Sequence, residues 1–179
     1  MPHTVVVLAD GFEEVEAVTV IDLLRRAEIK VTILGLDGVE VRGAHDMWVR
    51  ADQMFRGFSE PFDALVLPGG GPGTKKLAGA VEVLELVRQS YEQGLLCAAI
   101  CAAPTVFAKA GILSGKNAVC YPGCEDKMGD AIISEDAVVV DGNIITSRAA
   151  GTAIPFALEL IFALVGEEVE ENVRSSILY

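Results

Sequence analysis

Positive charge is what this 179-residue chain has least of: 14 lysines and arginines stand against 26 aspartates and glutamates, for a formal net charge of -12. Binding to nucleic acid or to an anionic membrane surface needs clustered Lys and Arg that displace counterions, so neither is expected as a partner. Long apolar runs are missing too. The stretch from Ile154 to Val165 is interrupted by Pro155 and Glu159 and falls short of the ~20 residues that span a bilayer. The opening Met1-Pro2-His3-Thr4 has no basic region, and Val5 to Ala9 is too short for the core of a secretory signal, so a soluble cytoplasmic protein is expected. No internal repeat or low-complexity segment is present.

Cysteine is also sparse, with four residues, and their spacing argues for free thiols. Cys97 and Cys101 sit four apart on what reads as a strand, which separates them by ~13 Å and excludes a shared metal or a disulfide. Cys120 and Cys124 flank the turn Tyr121-Pro122-Gly123 and could approach each other, but no second ligand pair accompanies them, so no metal is expected.

What remains is 51% apolar, the composition of a globular chain with a large core, and the length suits one domain over residues 1–179. Short β-branched runs alternate with helical segments, the pattern of βαβ units around a parallel sheet. Strands are predicted at Thr4 to Leu8, Lys30 to Leu36, Ala64 to Leu67 and Leu95 to Ile100. Helices are predicted at Glu13 to Arg26, Val81 to Gln93, Ala102 to Ala110 and Thr152 to Val165. In the first helix Val15, Val18 and Ile21 sample successive turns, and Leu23 with Leu24 widens the face expected against the sheet. Two turn-rich stretches break the alternation: Gly38 to Asp52 reads as a β-hairpin, and Asp141-Gly142-Asn143 joins two strands between Ile133 and Ser147. Glu167 to Arg174 reads as a solvated terminal helix. Trp48 is expected to pack within its hairpin, and Asp22 with Arg26 to form an i,i+4 pair.

Ligands of such sheets bind beyond the carboxyl ends of the strands, which directs attention to three loops. In Ala9-Asp10-Gly11-Phe12-Glu13-Glu14-Val15-Glu16 the acids crowd the start of a helix. Favourable interaction with the helix dipole accounts for Glu13 and Glu14. Glu16, one turn in and between Val15 and Ala17, is expected to point toward the strand ends. In Leu67-Pro68-Gly69-Gly70-Gly71-Pro72-Gly73 the glycines let backbone N–H groups approach a ligand, as an oxyanion hole requires. A phosphate cradle is the alternative, but the Gly-Lys-Ser/Thr ending of a P-loop is absent. In Leu96-Cys97-Ala98-Ala99-Ile100-Cys101-Ala102-Ala103-Pro104 an apolar strand runs into a helix with a cysteine at the junction. Small residues there permit a nucleophile elbow, and a helix N-terminus would lower the thiol pKa. The plainer reading of Cys101 is an inert core residue among alanines.

Taken together the three loops resemble the ThiJ/PfpI superfamily, in the branch of the parkinsonism-associated protein deglycase and YajL-type proteins. The resemblance extends through Asp22-Leu23-Leu24-Arg25-Arg26, Asp126-Lys127-Met128 and Thr146-Ser147-Arg148 and covers essentially the whole chain. It implies an α/β fold, flavodoxin-like and similar to class I glutamine amidotransferases, with a three-layer sandwich around a mostly parallel sheet. It also implies that Cys101 is the reactive cysteine, Glu16 its carboxylic partner, and the amides of Gly70 and Ala102 the oxyanion donors. Two confined acids should share one proton, favouring a protonated Glu16 beside a thiolate. Gly69, Tyr121, His45 and Arg148 are candidates for the rim, with Ser147 beside them.

The sequence departs from the superfamily's pattern in its histidines. Family members often have one where Tyr121 stands, and the protease branch has one where Ala102 stands. The two present are His3, expected to be solvated, and His45, in the hairpin. Lacking a Cys–His dyad, the chain is not expected to be a protease or amidotransferase. The resemblance implies instead a cofactor-independent enzyme acting on 2-oxoaldehydes or their adducts, of glyoxalase or deglycase type. The alternative is a stress-response protein or chaperone that senses oxidants by oxidation of Cys101. A small aldehyde or adduct and a second copy of the chain are the implied partners, with the first helix and the Gly38 to Asp52 hairpin as interface elements.

Overall fold

A run of six residues without a polar interruption longer than His3-Thr4 can be satisfied only inside a sheet covered on both faces, and β1 (His3–Leu8) is such a strand, buried throughout. The computed structural model describes residues 1–179. After β1 come α1 (Glu14–Arg26), β2 (Lys30–Gly35), the hairpin β3 (Glu40–Arg42) and β4 (Trp48–Arg50), then β5 (Gln53–Met54) and β6 (Ala64–Leu67). The chain continues through α2 (Gly71–Gly79), α3 (Val81–Glu92), β7 (Leu96–Ile100), α4 (Pro104–Ala110) and β8 (Asn117–Ala118). It ends with β9 (Ile132–Ile133), β10 (Val138–Asp141), β11 (Ile144–Ser147), α5 (Ala153–Val165) and α6 (Glu167–Ser176).

Seven strands form the central sheet in the order β10-β11-β7-β6-β1-β2-β5. All neighbours are parallel except β10 and β11, which form the antiparallel hairpin expected around Asp141-Gly142-Asn143. Alternating side chains feed two cores. Val6, Leu8, Ile33, Ala98, Ile100 and Ile145 pack beneath α1, α5 and α6 on one face. Val5, Val7, Leu65, Leu67, Cys97 and Ala99 pack against α3 and α4 on the other. The sheet is therefore the middle of three layers. Strand order reverses between β1 and β6, and the loops that leave these two strands open the crevice where doubly wound sheets hold ligands.

Several expectations are corrected. In α1 the sheet-facing residues are Glu16, Ala17, Val20, Ile21, Leu23 and Leu24, whereas Val15 and Val18 lie on the outer face at 52% and 45% exposure. The helix carries two apolar series, and packing against α5 selects the 16/17-20/21-23/24 one. Trp48 is exposed because β3 and β4 form a separate two-stranded sheet in which Val41 opposite Val49 faces inward. His3 is buried: as the first residue of a central strand it is held by the Pro61 carbonyl and the Thr32 hydroxyl at 2.8 Å each. The last helix is amphipathic and buries Glu170 and Val173, with Glu170 bonded to Arg174. The third expected helix begins at Pro104, not Ala102, because Cys101 adopts a left-handed φ of 66° that no helix accommodates. Helix α2 grows out of the glycine-rich loop, whose low helix propensity hid it.

Phe156 of α5 is fully buried in the core shared with α1. Phe156→Ala should cost about 3–5 kcal/mol, read from the urea unfolding midpoint at unchanged m-value.

Candidate active site

The crevice is built from backbones that pack closer than side chains allow. Gly11, with φ 89°, donates to the Arg42 carbonyl at 2.7 Å, and its own carbonyl accepts the Gly73 amide at 3.2 Å. The β1–α1 loop is thus clasped between the hairpin and the start of α2. Gly70, with φ 92°, has no room for a side chain: a Cβ would lie 2.6 Å from the Glu13 amide nitrogen. The Glu13 amide donates to the Gly69 carbonyl at 2.9 Å, which locks the first residue before α1 to the loop after β6.

This lock aims Glu16 inward. The Glu16 side chain is fully buried, its Oε2 accepts the Gly69 amide at 2.8 Å, and its Oε1 has no nitrogen or oxygen partner. Glu16 and Cys101 are near enough for each to shift the other's pKa. Gly69 is the spacer between them: a Cβ there would meet both the Cys101 Cβ and Glu16 Oε2 at 2.6 Å. The Cys101 elbow is fixed by its amide, which donates to the Ser147 carbonyl at 2.9 Å, and by its carbonyl, which accepts the Tyr121 amide at 2.7 Å. A non-glycine residue at positive φ stores strain that the surrounding bonds must hold. The amides of Gly70 and Ala102 are near enough to the sulfur to pull its pKa down. Cys101 and Glu16, singled out from the loops, and Gly70 and Ala102, named from the family resemblance, lie close together.

Burial pushes Glu16 up to about 7, against the downward pull of its hydrogen bonds to Cys101 and Gly69. Burial and then the Glu16 charge push the Cys101 thiol up to about 12, and the Gly70 and Ala102 amides oppose them. Confinement thus works against the lowering expected from a helix N-terminus, and both partners are displaced upward. Helix α4 starts three residues beyond Cys101, so its N-terminus does not offset desolvation. Of the other thiols, burial pushes Cys97 up to about 12 and Cys120 up to about 11. Cys124 is half-buried and also raised by burial.

The rim candidates divide. Gly69 is central, and Tyr121 touches the elbow through its backbone while its side chain is half exposed. Arg148 turns its guanidinium to the Glu135 carbonyl at 3.1 Å, and the Ser147 hydroxyl is spent on Ala137 and Thr152. His45 stands over the start of α1: its Nδ1 lies 2.9 Å from Glu14 Oε2 and 3.6 Å from Glu13 Oε2. Glu14 is buried, not merely dipole-favoured, and its Oε1 accepts the His45 amide at 2.6 Å. That cluster was invisible in the sequence because its members are about thirty residues apart. A groove of about 1080 Å³ between the Leu36 to Phe58 segment and helices α2 and α3 holds neither cysteine nor histidine. Cys101, Glu16 and the Gly69-Gly70 backbone lie outside it.

Comparison with known proteins agrees with this architecture. The sequence model of the DJ-1/PfpI family matches residues 3–163. Protein dj-1beta of Drosophila melanogaster is 42% identical over 177 residues, covering 97% of this chain and 95% of that protein. A crystal structure of Drosophila melanogaster DJ-1beta superposes with a TM-score of 0.94 at 40% identity, over 99% of this chain and 97% of the other. Glutathione-independent glyoxalase DJR-1.2 of Caenorhabditis elegans is 34% identical over 159 residues, 87% of this chain and 84% of that protein. An oxidized Toxoplasma gondii DJ-1 structure has a TM-score of 0.96 at 34% identity, over 100% and 99% of the two chains.

The raised Glu16 pKa has a stability signature. The native state keeps a proton that the unfolded chain sheds near its ordinary 4.5, so this contribution is full below 4.5 and is lost as pH rises through about 7. Relative to Glu16→Gln, the wild-type protein should lose on the order of 3 kcal/mol between pH 4.5 and 7, at ~1.4 kcal/mol per unit. Urea unfolding of both proteins across that range checks the slope.

Proposed function

The chain belongs to the DJ-1/PfpI family, and from that premise we propose that it is a cofactor-independent enzyme converting 2-oxoaldehydes, or their early adducts with amines and thiols, to 2-hydroxy acids. The observation that carries this reading is the convergence of a strained Cys101, a buried Glu16 and the two amides of Gly70 and Ala102. A relative 34% identical to this chain bears the name glutathione-independent glyoxalase.

In the proposed cycle Glu16 takes the shared proton and leaves sulfur as the thiolate, which adds to the aldehyde carbon of methylglyoxal. The oxyanion so formed is held by the Gly70 and Ala102 amides and takes a proton from Glu16. Glu16, now ionised, removes the hydrogen from the former aldehyde carbon as a proton and returns it to the neighbouring carbonyl carbon, while the hydroxyl proton of the first carbon passes to the oxygen of the second. The first carbon is oxidised to a thioester and the second reduced to an alcohol, so no outside oxidant is needed. Water then cleaves the thioester to lactate and restores the thiol. Glu16 suits this role because a pKa of about 7 lets it give and take protons near neutrality.

The proposal extends to a homodimer, since Val15 and Val18 of α1 and Met47 and Trp48 of the hairpin present exposed apolar side chains on the two elements expected at the interface. It extends to cytoplasmic residence, in keeping with four free thiols, and no helix is long and apolar enough to cross a membrane. A second reading, oxidant sensing at Cys101, is favoured by one observation, the oxidized form in which a 34% identical relative was solved. In that reading the product is sulfinate at Cys101.

Wild-type protein given methylglyoxal should release lactate over multiple turnovers, and Cys101→Ser should release none, with product and not aldehyde loss counted. Glu16→Gln should lower turnover by 10²-fold or more. An absence of lactate from wild type, together with selective gain of two oxygens at Cys101 in a peroxide titration read by intact mass, would replace the enzyme reading with the sensor.

A further inference from the structure

Outside the Cys101 crevice, one side-chain cluster has the make-up and spacing of a metal site: Glu13 and Glu14 at the start of α1 with His45 from the β3–β4 hairpin. We propose that these three residues bind one divalent cation of the zinc class, through Glu13 Oε2, Glu14 Oε2 and His45 Nδ1.

The case is geometric. Bonds of ~2.0–2.1 Å to a tetrahedral ion set neighbouring donor atoms ~3.3 Å apart. His45 Nδ1 lies 2.9 Å from Glu14 Oε2 and 3.6 Å from Glu13 Oε2, so the two separations bracket that figure. One potential ligand atom from each of the three residues falls within 4.8 Å of the others.

Glu14 is also held as a ligand needs to be. Its Oε1 is engaged by the His45 amide at 2.6 Å and the Met47 amide at 3.5 Å, which fixes the carboxylate plane and leaves Oε2 to a cation. Backbone donors orienting a buried carboxylate from behind are the arrangement that supports metal ligands. Gly43 makes this possible, because the Glu14 carboxylate fills the space its Cβ would take. The opposite side of the cluster is open: the His45 side chain is 71% exposed, which leaves room for water as the remaining ligand.

An imidazole with two carboxylates favours zinc-class ions over magnesium or calcium, which prefer all-oxygen sites. Binding would exchange the Nδ1–H···Oε2 hydrogen bond for two metal bonds, with the ring proton moved to Nε2. The site ties the hairpin to the first turn of α1, so occupancy should stabilise the folded chain. It takes no part in the proposed turnover at Cys101.

The test is a titration of the chelator-stripped full chain with Co²⁺, followed by displacement with Zn²⁺. One equivalent should give visible d–d absorption without thiolate-to-cobalt charge transfer, and Zn²⁺ should abolish it and raise the melting temperature. Both His45→Ala and Glu13→Gln should weaken binding at least tenfold, while Asp46→Asn, an adjacent acid outside the cluster, should leave it within twofold. Three results would each overturn the site: no binding at millimolar cation, binding that survives His45→Ala, or a thiolate signature that assigns the ion to cysteine. Because the affinities are measured without any aldehyde, failure here and failure of the enzyme reading are separate outcomes.

Discussion

A carboxyl group sealed beside a thiol, with a single glycine between them, is the constraint on which the crevice depends. Glu16 is fully buried and Gly69 has no space for even a methyl group between it and Cys101. Sealing an ionisable group from water is costly, and the chain meets that cost with backbone N–H groups: Gly69 to the carboxylate, Gly70 and Ala102 to the sulfur. Those amides are available only because the loops after β1, β6 and β7 end at the same edge of the sheet and approach one another through glycine. The lock between Glu13 and Gly69, and the clasp of Gly11 between Arg42 and Gly73, transmit that approach to α1 and to the hairpin.

The same confinement changes how the thiol should be understood. A cysteine at a strand-to-helix junction suggests activation by the helix, yet here desolvation and the Glu16 charge outweigh the amides, and both groups are displaced upward. Their protons are consequently a property of the pair, and reactivity rests on where the last proton sits when a substrate arrives. The amides that moderate the sulfur charge in the resting state are the ones the proposed cycle assigns to the oxyanion, so in that reading one set of donors serves both.

Much of this was readable from the chain. The buried strands β1, β2, β6 and β7 declared themselves as β-branched runs, because a parallel strand covered on both faces needs no polar alternation. The loops of the site declared themselves by residue type, glycines in one, small residues around Cys101 in another. Where reading failed, two solutions satisfied the same local pattern. Val15 and Val18 are as apolar as Val20 and Leu24, and only packing against α5 decided which series turned inward. The helix α2 lay within a glycine-rich stretch, and the burial of His3 depended on Pro61 and Thr32, far along the chain.

Sequence alone indicated the fold class and the loops that carry Cys101 and Glu16, since hydrophobic period and side-chain chemistry are local properties, while the choice of the Gly70 and Ala102 amides rested on the family resemblance. Tertiary structure decided the rest: the direction of the pKa shifts, the outward face of α1, the burial of Glu14 under the hairpin and its meeting with His45. Each of these depends on distance and dielectric between residues remote in the chain, and neither quantity exists until the sheet has brought its loops together.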